Sequence, residues 1–223
     1  MQYRHEVKHE ISNLDMLILR QRLRAVMKPD SHAKDGQYEI RSLYFDNMDD
    51  KALREKLDGV SVREKYRIRM YNNDPSVIRL ERKFKCSGLG YKESSLLTQA
   101  QACQIAGGDI HWMAAGADEV LLRFYTCIRN EGLAAKVIVD YIREPFVFIP
   151  GNVRVTLDYN IRTALGCTDF FNPRCPTVPV TGSPCILEVK WDNFLPDVIR
   201  DMVQLGERHG TAYSKYAACR VYD

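Results

Sequence analysis

The chain has 223 residues, 45% apolar and 27% charged, enough to bury a core in one domain. Its 32 basic and 29 acidic residues leave a net charge of +3, too even a balance for a surface built to bind nucleic acid nonspecifically. Seven cysteines with no CxxC spacing point to reduced thiols, the N-terminus has no signal-peptide core, and no apolar run approaches membrane-spanning length.

In chain order, Tyr3 to Ile11 predicts a first strand, with Arg4, Glu6 and Lys8 on one face and Tyr3, His5, Val7 and His9 on the other. Ser12 and Asp15 form a capping-box start for a helix through Leu14, Leu17, Ile18, Leu23 and Val26, which Pro29 stops. A polar loop, Ser31 to Gln37, leads to a second strand from Tyr38 to Phe45. Asp49 to Leu57 then reads as a short helix closed by Asp58-Gly59. Two cationic strands follow, around Lys65-Tyr66-Arg67-Ile68-Arg69 and Arg79 to Lys85, joined through the turn signal Asn72-Asn73-Asp74-Pro75. Gly88-Leu89-Gly90 reads as a break.

Helices are predicted over Thr98 to Ala106 and Ala117 to Asn130, ended by Gly107-Gly108 and Gly132. Strands are predicted over 135–148 and 153–163, with Pro150-Gly151-Asn152 between them. Phe170 to Pro184, rich in Pro, Thr and Gly, reads as an exposed loop. Cys185 to Trp191 is a short strand, Pro196 opens a helix to about Leu205, and a last helix spans Ala212 to Cys219. No repeat or linker divides the chain, so a single domain over 1–223 is expected.

The polar faces carry the functional signal. Rows with period two are Arg4/Glu6/Lys8, Lys65/Arg67/Arg69, Glu81/Lys83/Lys85, Arg154/Thr156/Asp158 and Glu188/Lys190. Like charges stacked on neighbouring strands repel unless something anionic lies against them. The consistent solution is an α+β fold: a closed, mainly antiparallel eight-stranded β-barrel with a charged lumen and flanking helices. Such a lumen calls for a long, strongly anionic ligand, since each dry charge left unpaired costs several kcal/mol. Glu6, Glu81 and Glu188 among the cations offer hard oxygen ligands for Mg²⁺ or Mn²⁺. His5 and His9 face away from Glu6 and are expected to be structural or surface residues rather than metal ligands. Cys86 has no base spaced to serve it as a nucleophile.

Arg4-His5-Glu6-Val7-Lys8, Leu43-Tyr44-Phe45-Asp46-Asn47, Lys65-Tyr66-Arg67-Ile68-Arg69, Glu81-Arg82-Lys83 and Lys92-Glu93 are similar to the triphosphate tunnel metalloenzymes (the CYTH-like superfamily). So are Tyr141-Ile142-Arg143, Arg154 to Asp158, Leu187-Glu188-Val189-Lys190 and Ser214-Lys215-Tyr216. The branch resembled is the polyphosphate polymerase domain of the vacuolar transporter chaperone (VTC) complex and its stand-alone bacterial relatives, from Tyr3 to about Arg220. The resemblance implies that Lys8, Arg67, Arg69, Lys83, Lys92, Arg143, Arg154 and Lys215 contact phosphates, that Tyr141 assists, and that Glu188 coordinates the metal. Lys65, Lys85 and Lys190 join the substrate-binding set from their rows. Two departures stand out: Glu6 alone precedes Lys8 where hydrolytic relatives show E-x-E-x-K, and no SPX sensor domain or membrane segment follows before Asp223.

A phosphate acceptor is already anionic, so a polymerase needs positioning and charge neutralisation rather than a general base. The expectation is a metal-dependent polyphosphate polymerase that moves the ATP γ-phosphoryl group onto a growing chain, with Mn²⁺ or Mg²⁺ as cofactor. Triphosphate hydrolysis and non-catalytic polyphosphate or nucleotide binding are the alternatives. Nucleic acid is not an expected partner, because the aromatics alternate away from the basic row. A cytoplasmic location is expected, leaving room for a separate membrane partner, and the sequence is silent on oligomeric state.

Overall fold

The computed structural model describes residues 3–206 and 210–222. β1 (His5–Ile11) is followed by α1 (Asn13–Val26), whose Ser12–Asp15 capping box is formed in both directions. Next come β2 (Lys28–Pro29), β3 (Tyr38–Asp46), α2 (Lys51–Leu57), β4 (Val62–Tyr71), β5 (Asp74–Cys86) and β6 (Leu89–Leu97). α3 (Gln99–Ala106) and α4 (Glu119–Glu131) lead to β7 (Ala134–Phe148), β8 (Val153–Thr163), β9 (Val178–Pro179) and β10 (Cys185–Trp191). α5 (Asp197–Val203) and α6 (Lys215–Cys219) complete the set.

The strands form one antiparallel sheet in the order β1-β10-β8-β7-β3-β4-β5-β6, with β2 added to β7 and β9 to β8. A closed eight-stranded barrel is not what the ladder gives. Among the described residues the two ends of the sheet meet through a single bridge just before β1, where Arg4 N donates to Gly90 O at 3.1 Å. Beyond that bridge β1 is tied across by a side chain of β5, the strand next to the far end, with Lys83 Nζ reaching Glu6 at 3.0 Å. The result is an open hydrogen-bonded path whose two ends approach each other.

Two apolar layers cover the outer face. One packs α3, α4 and the segment after β8 against Leu43, Phe45, Tyr66, Ile68, Leu80 and Ile138. The other packs α1 and α5 against Val155, Leu157, Leu187 and Val189. Burying each such side chain contributes about 1.5–3 kcal/mol, which fixes the register and so the direction of every charged row.

The inner face also holds an apolar layer, which the sequence reading did not anticipate. Ile40, Val137, Val139, Ile161 and Ile186 gather around Tyr216 on α6, which is 1% exposed. Ile161 reaches this face because the β7–β8 register shifts next to Asn160, whose φ is +50°. The charged lumen therefore occupies part of the interior only.

Several sequence expectations need correction. Gly88-Leu89-Gly90 is no break: Ser87 and Gly88 take positive φ in a tight turn, and Leu89 and Gly90 continue as β6. Phe170 to Pro184 is not an exposed loop, because Phe170, Cys175 and Val180 are buried and β9 pairs with β8. The last helix starts at Lys215, after the Ser214 cap, rather than at Ala212. Asp46 ends a strand as expected, yet is buried and caps α2 by accepting from the backbone of Ala52 and Leu53.

Candidate functional site

Strand register assembles the site. Lys65 on β4 lies opposite Lys83 on β5, which lies opposite Lys92 on β6, a row of three lysines across adjacent strands. One step deeper, Arg67 stands opposite Glu81. On the far wall, Glu188 on β10 faces Lys8 on β1 and Thr156 on β8, and Lys190 faces Glu6 and Arg154. Tyr141 and Arg143 on β7 join the ring from between the two walls, Arg143 standing opposite Asp158.

Each buried carboxylate organises several cations. Glu81 binds Arg67 at 2.6 Å and Lys92 at 2.7 Å, with Arg69 at 3.8 Å. Burial pushes its carboxyl up, but Arg67, Arg69 and Lys92 outweigh that and hold it well below the usual carboxylate range. Asp158, fully buried, takes a bidentate Arg143 at 2.6 and 2.7 Å and Lys215 at 2.5 Å. Glu6 and Glu188 stand side by side, bridged by Lys8 at 2.9 and 3.2 Å. Lys190 contacts both, and Arg143 reaches Glu188 at 3.8 Å. Burial opposes ionisation of both carboxyls, yet the surrounding lysines, with Arg143 at Glu188, depress them.

Lys65 differs from its neighbours. Its ammonium sits over the rings of Tyr44 and Tyr216, 5.4 and 6.0 Å from their centroids. Burial pulls its pKa down to about 8. Tyr44 is raised by burial, but Arg67, Lys65 and Arg69 outweigh this and bring it to about 7; Arg67 also donates to its hydroxyl at 2.8 Å. Arg69 donates to Ser42 and to Tyr141 at 3.1 and 2.9 Å.

Most of the expected residues converge. Lys8, Lys65, Arg67, Arg69, Lys83, Tyr141, Arg143, Lys190 and Lys215 line one continuous polar interior with Glu6, Glu81 and Glu188. Three sit towards its edge. Arg154 is drawn to Asp30 at 2.9 Å, Lys92 keeps its side chain 49% exposed, and Lys85 stands opposite Arg63. Asp158, Tyr44 and Tyr216 were not singled out as site residues. The alternations Arg154/Thr156/Asp158 and Ser42/Tyr44 carried the signal for the first two.

The three expected metal-binding glutamates do not come together. Among the described residues, no three His, Cys, Asp or Glu side chains cluster tightly enough to hold a metal ion unaided. Glu81 is committed to Arg67, Arg69 and Lys92. Glu6 and Glu188 fit better. Glu188 Oε1 and Thr156 Oγ1, on directly opposed residues, are buried with no hydrogen-bond partner among the described residues, although Lys190 lies against Glu188 as an ion pair. One or two carboxylates with further positions filled by phosphate oxygens is a donor set suited to Mg²⁺.

A family model described as VTC domain matches residues 3–222. No curated protein matches the chain. Among solved structures, the PH1012 protein of Pyrococcus horikoshii OT3 is 12% identical at a TM-score of 0.51, covering 95% of this chain and 96% of its own. A Vibrio parahaemolyticus protein described as a candidate adenylate cyclase gives 12% identity and a TM-score of 0.51, with 95% of each chain covered. A protein with the same description from Bacillus halodurans gives 13% identity and a TM-score of 0.50, covering 85% of this chain and 80% of its own. At these identities the likeness is one of fold.

Proposed function

The chain belongs to the VTC domain family, and from that premise we propose that it is a polyphosphate polymerase acting inside a tunnel formed by the wrapped sheet. ATP or another triphosphate binds among Arg67, Arg69, Arg143, Lys8, Lys83 and Lys215, and its γ-phosphoryl group passes to the end of a polyphosphate chain, releasing ADP. The observation that carries this reading is the convergence of these cations on buried or half-buried carboxylates that fix their positions. Phosphoryl transfer needs such preorganised charge more than covalent help.

The arginines can fork onto pairs of phosphate oxygens, and Lys8, Lys83, Lys190 and Lys215 serve as point charges. Tyr141 orients Arg69 through its hydroxyl. Glu6 and Glu188, with Thr156, would hold Mg²⁺ or Mn²⁺, which supplies charge neutralisation between phosphate oxygens. Hydrolysis requires a base or an orienting group for water, and every lumen carboxylate is already engaged by cations. That favours an anionic acceptor over water.

No helix among the described residues is long and apolar enough to cross a membrane. The test is incubation with ATP and Mn²⁺. ADP together with a long polyanion resolved on a gel is the expected result. ADP and free phosphate alone would overturn polymerisation in favour of triphosphate hydrolysis.

A further inference from the structure

On the outer face of the sheet, away from the charged interior, the segment between β8 and β9 brings two thiols together. Cys167 Sγ and Cys175 Sγ are 2.9 Å apart. Neither is placed by a loose loop. Cys167 N donates to Ala164 O at 3.0 Å and Cys175 N to Asn172 O at 3.1 Å. Arg41, itself fixed by two bonds to Asp140, donates to Asn172 O at 2.7 Å. Arg162 holds the far end through Thr177 at 2.8 Å, and Phe170, 2% exposed, anchors the middle in the outer core.

We propose that Cys167 and Cys175 are a modification site, forming an intrachain disulfide by exchange with an oxidised low-molecular-weight disulfide and so stapling the 164–177 segment onto the sheet. This stands independently of the function proposed above; all seven cysteines are free in the structure, as the sequence led one to expect, and the bond is a state reached on oxidation. Cys167 is half-buried and Cys175 buried. Burial and the hydrogen bond to Cys167 push the Cys175 thiol up to about 12, so Cys167 is the attacking group. Its thiolate displaces one thiolate from the small disulfide, giving a mixed disulfide. Cys175 then loses its proton to solvent and attacks Cys167 Sγ, expelling the second thiolate. In balance, two cysteine thiols and one small disulfide give one intrachain disulfide and two small thiols.

Arg174 lies between the two cysteines, which makes the bond readable by trypsin. The native protein is equilibrated with oxidised glutathione, its free thiols are alkylated, and it is digested without reductant. Peptides 163–174 and 175–190 are expected as one linked species, joined at Cys167 and Cys175 and separated by reduction. Exposed Cys103, capped by glutathione in the same sample, confirms that the oxidant acted. The linked protein is also expected to melt above the reduced one, and Cys167→Ser to abolish both the link and the rise. Peptide 163–174 carrying glutathione or alkylated Cys167 while Cys103 is capped would overturn the proposal, as would a linked form that melts no higher.

Discussion

Arg67 closes on Glu81 through Nη2 at 2.6 Å and Nε at 2.8 Å, on a carboxylate only 1% exposed. Because Lys92 takes the other oxygen at 2.7 Å, one buried anion sets the position of several cations. Glu81→Gln leaves those cations facing each other in a poorly solvated space. The expected loss is about 3–5 kcal/mol of unfolding free energy in a urea titration. Added tripolyphosphate should recover part of it, since phosphate oxygens replace the missing carboxylate. A variant as stable as the parent, or one indifferent to tripolyphosphate, would contradict this role.

Lys65 and Tyr44 give the site a pH signature. Folding lowers Lys65 from 10.5 to about 8 and Tyr44 from 10.0 to about 7. Between the folded and unfolded values the unfolded chain binds more protons, so stability from both groups rises with pH across about 7 to 10.5. A bound polyanion favours the charged lysine, so tripolyphosphate should flatten the rise and bind more weakly as pH passes about 8. Melting temperature against pH, with and without tripolyphosphate, measures both effects. Lys65→Met should remove much of the dependence; an unchanged profile would show that Lys65 does not titrate there.

The charged rows were legible because a strand's period of two is local: Lys65/Arg67/Arg69 and Glu188/Lys190 share faces whatever the sheet does around them. The cap of α1 at Ser12 was legible for the same reason, whereas Thr98, expected inside its helix, stands before it as the cap of α3. Which cation meets which carboxylate was not, since Arg143–Asp158 and Lys83–Glu6 depend on register and on how the sheet ends approach. β6 was hidden because glycine at 88 and 90 mimics a break when only the first takes positive φ. The polar composition of 170–184 concealed Phe170 and Val180, whose burial comes from contacts distant in sequence.

Glu188 and Thr156 should separate metal handling from anion binding. Glu188→Gln is expected to lower Mn²⁺-dependent turnover by at least an order of magnitude while tripolyphosphate still binds, because the cationic groups around it remain. Thr156→Val keeps the shape of a buried side chain whose hydroxyl has no hydrogen-bond partner among the described residues. It should raise the Mn²⁺ concentration needed for half-maximal turnover and leave the melting temperature nearly unchanged. A hydroxyl of purely structural use would show the opposite, lost stability at constant metal demand.

Tyr216 ties the last helix to the site. Its hydroxyl donates to Asp46 at 2.6 Å and accepts from Arg220 at 3.0 Å, while its ring stacks on Tyr44 at 5.0 Å. The adjacent Lys215 leads α6 and reaches Asp158. Tyr216→Phe retains the packing but leaves Asp46 short of a donor, an expected cost of about 1–2 kcal/mol. If that hydroxyl seats α6, the variant should also bind triphosphate several-fold more weakly, as a loosened Lys215 does. Lys215→Ala provides the reference: its loss of affinity should not add to that of Tyr216→Phe in the double variant, because both act through one ammonium. Fully additive losses would mean that Tyr216 stabilises the fold without positioning Lys215.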